Sequence, residues 1–298
     1  DADRVVLDVE LDAAAAFFML YERRGMLRVT REQLTLARQL VSAASARHAS
    51  GQAGASDVLR AEVEVARLQA LARSRAEEVQ GAEAMLNASI GRPADTVVPR
   101  LEGPAGDRMP PPWAEVREGA LRSRPELMAG AAEIRRAESE VEVMRSMYWP
   151  MGMIRVGSAS TMAEGPGAML MVGVSLPIWR QRLRAGVSEA RAMQDMARAD
   201  LEAMRRMVEG QAAQSLSQVR AAREQLLGLR DDVVPRAQRT IEPTLAEYSS
   251  GRGSLLSVIE AAQALWMAQA DLVMAETGLA LAWVRLQRAT GSAGGETR

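Results

Sequence analysis

Two stretches decide the fold: Ser50-Gly-Gln-Ala-Gly-Ala-Ser-Asp-Val-Leu-Arg-Ala61 and Ser250-Gly-Arg-Gly-Ser-Leu-Leu-Ser-Val-Ile-Glu-Ala261. They are one turn written twice. Ser, Gly, Val and Ala recur without a gap at an offset of 200 (251 − 51 = 200; 261 − 61 = 200). The same offset pairs Gln69 with Gln269, Leu86 with Leu286 and Gly91 with Gly291. A repeat of this length means two copies of a large unit rather than a solenoid. Gly51 and Gly251 suit the left-handed position that ends a helix. Ser56 or Asp57, and Ser254 or Ser257, suit the cap of the next helix.

A heptad follows each turn. In the second copy one row is Val258, Leu265, Leu272, Leu279 and the other Ala261, Ala268, Ala275, Ala282. In the first copy the rows are Val58, Val65, Ala72, Val79, Leu86 and Ala61, Leu68, Arg75, Ala82. A sustained 3.5-residue period predicts close, coiled-coil-like helix pairs.

Outward from the turns, residues 5–49 and 56–90 read as long helices, the second stopped by Gly91-Arg92-Pro93. Residues 93–112, with six prolines, read as a linker, and Trp113–Ser123 as a short helix. Pro125 opens a helix running to about Tyr148. Residues 151–179 change character and read as two strands about a Glu164-Gly-Pro-Gly167 turn, a length that suits tilted barrel strands. Met169, Met171 and Gly173 alternate with Leu170, Val172, Val174 and Leu176, and neither face is cleanly polar. Residues 180–249 would span about 100 Å as one helix, with kinks or breaks expected at Pro235 and Pro243. The last helix covers about 254–289. The fold class is mainly α: long antiparallel helical hairpins in two repeats with one β-hairpin. The expected divisions are 1–97, a linker with a short helix at 98–124, and 125–298.

Composition narrows the function. Aromatic residues are only 3% against 48% hydrophobic, which suits close-packed helices. The net charge is −1, and all 37 basic residues are arginine, so no basic excess points to nucleic acid. No cysteine is present, which removes disulfides and thiolate chemistry. No apolar run approaches the ~18 residues of a membrane-spanning helix, and no signal-peptide pattern occurs. The lone His48 builds neither a triad nor a histidine cluster, and no HExxH, GxSxG or phosphate-loop motif occurs.

The two turns, Arg124-Pro125-Glu126-Leu127, Tyr148-Trp149-Pro150 before the hairpin and Val172-Gly-Val-Ser-Leu-Pro-Ile-Trp179 after it together resemble the TolC-like outer-membrane efflux channel family. The resemblance covers nearly the whole chain. It implies a homotrimer in the outer membrane and periplasm of a Gram-negative bacterium, with strands in a barrel and helices in a tunnel. It also implies no enzymatic activity and no cofactor. The tips, at Gly51, Gln52, Ala53, Gly251, Arg252 and Gly253, are then expected to meet a periplasmic adaptor, and through it an inner-membrane pump.

The family has a strand pair in each repeat, so the chain reads as a piece lacking the first hairpin; Asp1 is either a processed terminus or a cut. A scaffold that has lost transport is the rival reading. Asp57, Tyr248 and Glu260 are the expected gate, with Tyr248 donating to Asp57 and threefold Glu260 making a cation-selective ring; Arg60, the counterpart of Glu260, is a potential partner for it. Met151, Met153, Met169 and Met171 are weak candidates for soft metal ions, with packing the commoner use of methionine.

Overall fold

A computed structural model describes residues 2–103, 108–161 and 165–291. The elements are α1 (Ala2–Ala49), α2 (Ala55–Ser89), α3 (Trp113–Ser123), α4 (Pro125–Ser146), β1 (Met151–Thr161), β2 (Gly165–Ser175), α5 (Arg180–Leu227), α6 (Val234–Ser249) and α7 (Leu255–Thr290). Packing divides them into two units, residues 124–209 and residues 2–123 with 210 onward.

In the larger unit the helices that approach most closely are α2 with α1, α1 with α7, and α7 with α6, while α3 packs on α7. α7 therefore has helices on several sides. Both of its heptad rows are largely buried, and so are Ala262, Trp266, Val273, Thr277 and Leu286 between them, as expected of a helix that is apolar on most of its circumference. α2 has one close neighbour and buries one stripe: Ala61, Leu68, Ala82 and Leu86.

Arg75 interrupts that stripe. Its guanidinium donates to the Met26 carbonyl at 2.8 Å and to the Thr30 hydroxyl, so the seam stays hydrogen-bonded. Burial pushes the Arg75 pKa down, with Glu78 opposing that shift.

Gly25, a weak point for a helix by propensity, has a packing reason. A Cβ there would lie 2.7 Å from Val273 Cγ1, so α1 and α7 meet this closely only over glycine. The linker is held by buried Asn87, whose amide donates to the Thr96 carbonyl at 2.7 Å. Arg24 reaches the carbonyls of Val98 and Pro99 and the Glu83 carboxylate.

The expected breaks at the two prolines resolve differently. Residues Gly228–Val233 form a π-helical turn, in which the Val234 amide donates five residues back to Leu229. Pro235 follows at the start of α6. Its ring crowds the carbonyl four residues earlier, and the wider turn makes room for it. Pro243 lies inside α6 without ending it, on an exposed face where water can satisfy the freed carbonyl.

In the smaller unit α4 and α5 are linked by Arg198 to Glu138 at 3.2 Å, and Gly130 gives Leu201 room. β1 and β2 pair antiparallel from Met151↔Ser175 to Thr161↔Gly165. Gly165, Pro166 and Gly167 thus belong to β2, not to the expected turn; Glu164 lies outside the described residues. Register settles the faces that alternation left open. Met151, Met153, Arg155, Met169 and Met171 share one face; Ile154, Val156, Leu170, Val172 and Val174 share the other. The second set is wholly apolar and 65% to 76% exposed.

Candidate docking and gating site at the helical turns

Both turns close by the same hydrogen bonds. The Gly51 amide donates to the His48 carbonyl and Gln52 to Arg47; Gly251 donates to Tyr248 and Arg252 to Glu247, all within 2.8–3.0 Å. The glycines have φ of +75° and +82°. This is the Schellman ending, in which a left-handed residue lets two late amides reach back to the last carbonyls of the helix. Gly91 repeats it at the far end of α2, and Gly291 takes the same left-handed position at the end of α7, both at φ +71°.

The following helices start differently. Ser254 caps α7 by accepting from the Ser257 amide at 3.1 Å. α2 starts from Gly54 with no side-chain cap. Ser56 and Asp57 therefore lie inside the first turn of α2 rather than at its cap, where Asp57 still suits the positive end of the helix.

The turns lie at the same end of the unit. Leu40 and Ala44 of α1, Ala61 of α2, Tyr248 of α6, and Leu255 and Val258 of α7 form one buried cluster just beneath them. A Cβ on Gly251 would be 3.8 Å from Arg47. Arg47 and His48 brace the first turn: Arg47 donates to the Gln52 carbonyl at 3.1 Å, and His48 Nδ1 lies 3.0 Å from that of Ala53. Gly253 packs against its own chain, since a Cβ would lie 3.1 Å from the Tyr248 backbone nitrogen. Gln52, Gly51, Gly251 and Arg252 are exposed; Ala53 and Gly253 are half-buried.

The expected gate bond is not made. Tyr248 is fully buried, and among the described residues its hydroxyl makes no hydrogen bond within normal geometry, though Arg47 lies close enough to favour the phenolate. Its ring instead lies beneath the Arg47 guanidinium, 4.4 Å from the ring centre. Burial pushes the Tyr248 pKa up, the nearby Asp57 carboxylate adds to this, and Arg47 opposes it. Tyr248 is thus held in the core by the packing of four helices, and Asp57 acts on it only through space.

Glu260 and Arg60 are both exposed, and among the described residues no ion pair joins them. The four methionines share the hairpin face with Arg155, directly opposite Met171, and a guanidinium there opposes capture of a metal cation. Among the described residues no cluster of three His, Cys, Asp or Glu forms a metal site. Sequence reasoning missed Arg47, Asn87 and Arg24. Arg47 falls opposite Glu247 in the repeat, and that mismatch in an otherwise matched turn is its only signal.

The model of the outer membrane efflux protein family matches residues 116–292, more than half of the chain. The chain belongs to this family. It is 26% identical over 287 residues to the outer membrane efflux protein BepC of Brucella suis biovar 1, covering 94% of this chain and 62% of BepC. It is 24% identical to the cobalt-zinc-cadmium resistance protein CzcC of Cupriavidus metallidurans, covering 88% of this chain and 62% of CzcC. The chain thus spans less than two thirds of these relatives.

Among solved structures it superposes on CusC with a TM-score of 0.84 at 16% identity, over 98% of this chain and 70% of that one. On VceC of Vibrio cholerae the TM-score is 0.76 at 18% identity, over 96% and 70%. These likenesses establish the TolC-like fold. The family consists of transport components rather than enzymes, placed in the outer membrane and periplasm of Gram-negative bacteria.

Proposed function

We propose that the chain forms the periplasmic wall and part of the barrel of a trimeric efflux channel. Its two turns dock to the hairpin tips of a periplasmic adaptor, which links it to an inner-membrane pump. The matched pair of turns carries this reading: the same closure at the same end, with Gln52 and Arg252 exposed side chains on both. The apolar hairpin face fits the lipid side of barrel strands.

Asp57 and Glu260, repeated threefold, supply negative charge along the path and favour cations. Tyr248 supports the tip from within rather than latching it. The cargo class is small molecules or metal cations; the name of CzcC favours the latter.

Gly51 and Gly251 are poor probes of docking, because their positive φ is required by their own turns. Gln52→Cys and Arg252→Cys are better: the chain has no other cysteine, so a crosslinker attaches at one place. Crosslinks from both positions to the adaptor are expected. Intact trimers that give none would refute the docking, and a closed, non-conducting bilayer record would favour the scaffold reading. Glu260→Gln is expected to lower cation selectivity in the same recording.

A further inference from the structure

The open end of the hairpin carries an arrangement that the tips do not use. β1 and β2 pair from Met151↔Ser175, so the chain enters and leaves the hairpin at one end. Trp149 and Trp179 flank that end, 77% and 73% exposed. The apolar strand face continues there into Leu176 and Ile178, 65% and 71% exposed.

Arg180, Arg182 and Arg184 follow at once, all exposed, and the first turn of α5 holds no acidic residue. Among the described residues none of the three has an ion-pair partner. The other charges nearby do not cancel them. Arg145 at the end of α4 is already paired with Glu142 at 2.6 Å. Arg155 on the hairpin adds positive charge, and Glu140 near the end of α4 and Glu189 on α5 offset only part of it. A cleft of about 690 Å³ opens between these elements, lined by Met144, Met147, Trp149, Trp179, Arg182 and Glu189.

We propose that this end is a collar for anionic phospholipid: Trp149 and Trp179 lie at headgroup depth, and Arg180, Arg182 and Arg184 engage lipid phosphate. Tryptophan prefers the membrane–water boundary because its ring is apolar while its N–H is polar. Guanidinium matches phosphate with two parallel hydrogen bonds. An exposed strand face that meets two tryptophans and then three uncompensated arginines has the order of an acyl layer, an interface and a headgroup layer. The occupant is an anionic lipid because the three arginines that open α5 are unpaired and Arg155 adds to them, which leaves this end with an excess of positive charge. The proposal rests on the reading that the hairpin is seated in a membrane, and the test separates the two.

The purified chain is diluted from detergent into phosphatidylcholine vesicles, and into vesicles of phosphatidylcholine mixed with phosphatidylglycerol, and bound protein is measured by flotation. One arginine near an anionic surface is worth about fivefold in partition, so the three together give about a hundredfold. The expected result is that preference for the mixed vesicles at low salt, fading at high salt. The triple variant Arg180→Gln/Arg182→Gln/Arg184→Gln is expected to lose the preference while still binding neutral vesicles through the hairpin, which also shows that it is folded. Equal binding of the unmodified chain to both vesicles, or a preference that survives in the triple variant, overturns the collar alone. Failure to bind either vesicle overturns the collar and the membrane seat together.

Discussion

Replacing Tyr248 with phenylalanine is expected to raise stability, and the reasoning can be followed atom by atom. Among the described residues the Tyr248 hydroxyl is buried with no well-formed hydrogen bond, and Arg47 is at most a weakly placed donor beside it. An unsatisfied buried polar group costs about 1–3 kcal/mol, and phenylalanine removes it. The ring under Arg47 remains, and with it the cation–π attraction of about 0.5–2 kcal/mol. The net expectation is a gain of about 1 kcal/mol, or roughly 2 °C in melting temperature for a chain of this size.

Alkaline pH sharpens the test. The chain has no lysine and no cysteine, so neither side chain masks the ionisation of Tyr248 above about pH 9. Folding raises the pKa of Tyr248, chiefly by burial. Its neutral form is favoured in the fold, so the associated stability is present below about pH 10 and is lost as pH rises through the raised value. Tyr21 behaves alike, through burial and then Glu276. The advantage of Tyr248→Phe is therefore expected to widen above pH 10. The assay is thermal unfolding by circular dichroism across this pH range, with Tyr248→Leu as a control expected to lose about 2–3 kcal/mol. A drop of more than about 2 °C at neutral pH on Tyr248→Phe would show that the hydroxyl is bonded and refute the argument. So would an alkaline loss as large as that of the unmodified chain.

Two further substitutions test the packing of the larger unit. Gly25→Ala gains about 1 kcal/mol of helix propensity but pushes a methyl against stiff, buried Val273. A net loss of about 1–2 kcal/mol in urea unfolding is expected, largely recovered by adding Val273→Ala. Asn87→Ala removes the amide that holds the Thr96 carbonyl; a loss of about 1–2 kcal/mol and faster proteolysis within residues 93–103 are expected.

The chain's punctuation was legible because glycine and proline act locally. Gly51, Gly91, Gly251 and Gly291 all take the left-handed ending, and α3 begins and ends at Trp113 and Ser123 as expected. The repeat also announced the paired turns, since like sequence closes with like hydrogen bonds. The candidate site was legible in position but not in contact. Tyr248 stood near Asp57 in the reading, but its ring was claimed by Arg47, a residue the motif did not mark. Pro235 and Pro243 look equivalent in sequence, yet one follows a π turn and the other leaves its helix unbroken, because the outcome depends on where each freed carbonyl can go.

By itself, then, the sequence determined where the helices end, that the turns come in pairs, and that a strand pair interrupts the second copy. Each of these is set by backbone preferences within a few residues. Only the tertiary structure decided which face of the hairpin is wholly apolar, because alternation defines two faces and pairing register alone puts Ile154 and Val156 with Leu170, Val172 and Val174. It also decided that Gly25 is a contact rather than a flaw, and that Tyr248 is a buried support. Both depend on side chains more than two hundred residues away in the chain, or on helices converging from four directions, and no local preference encodes that distance.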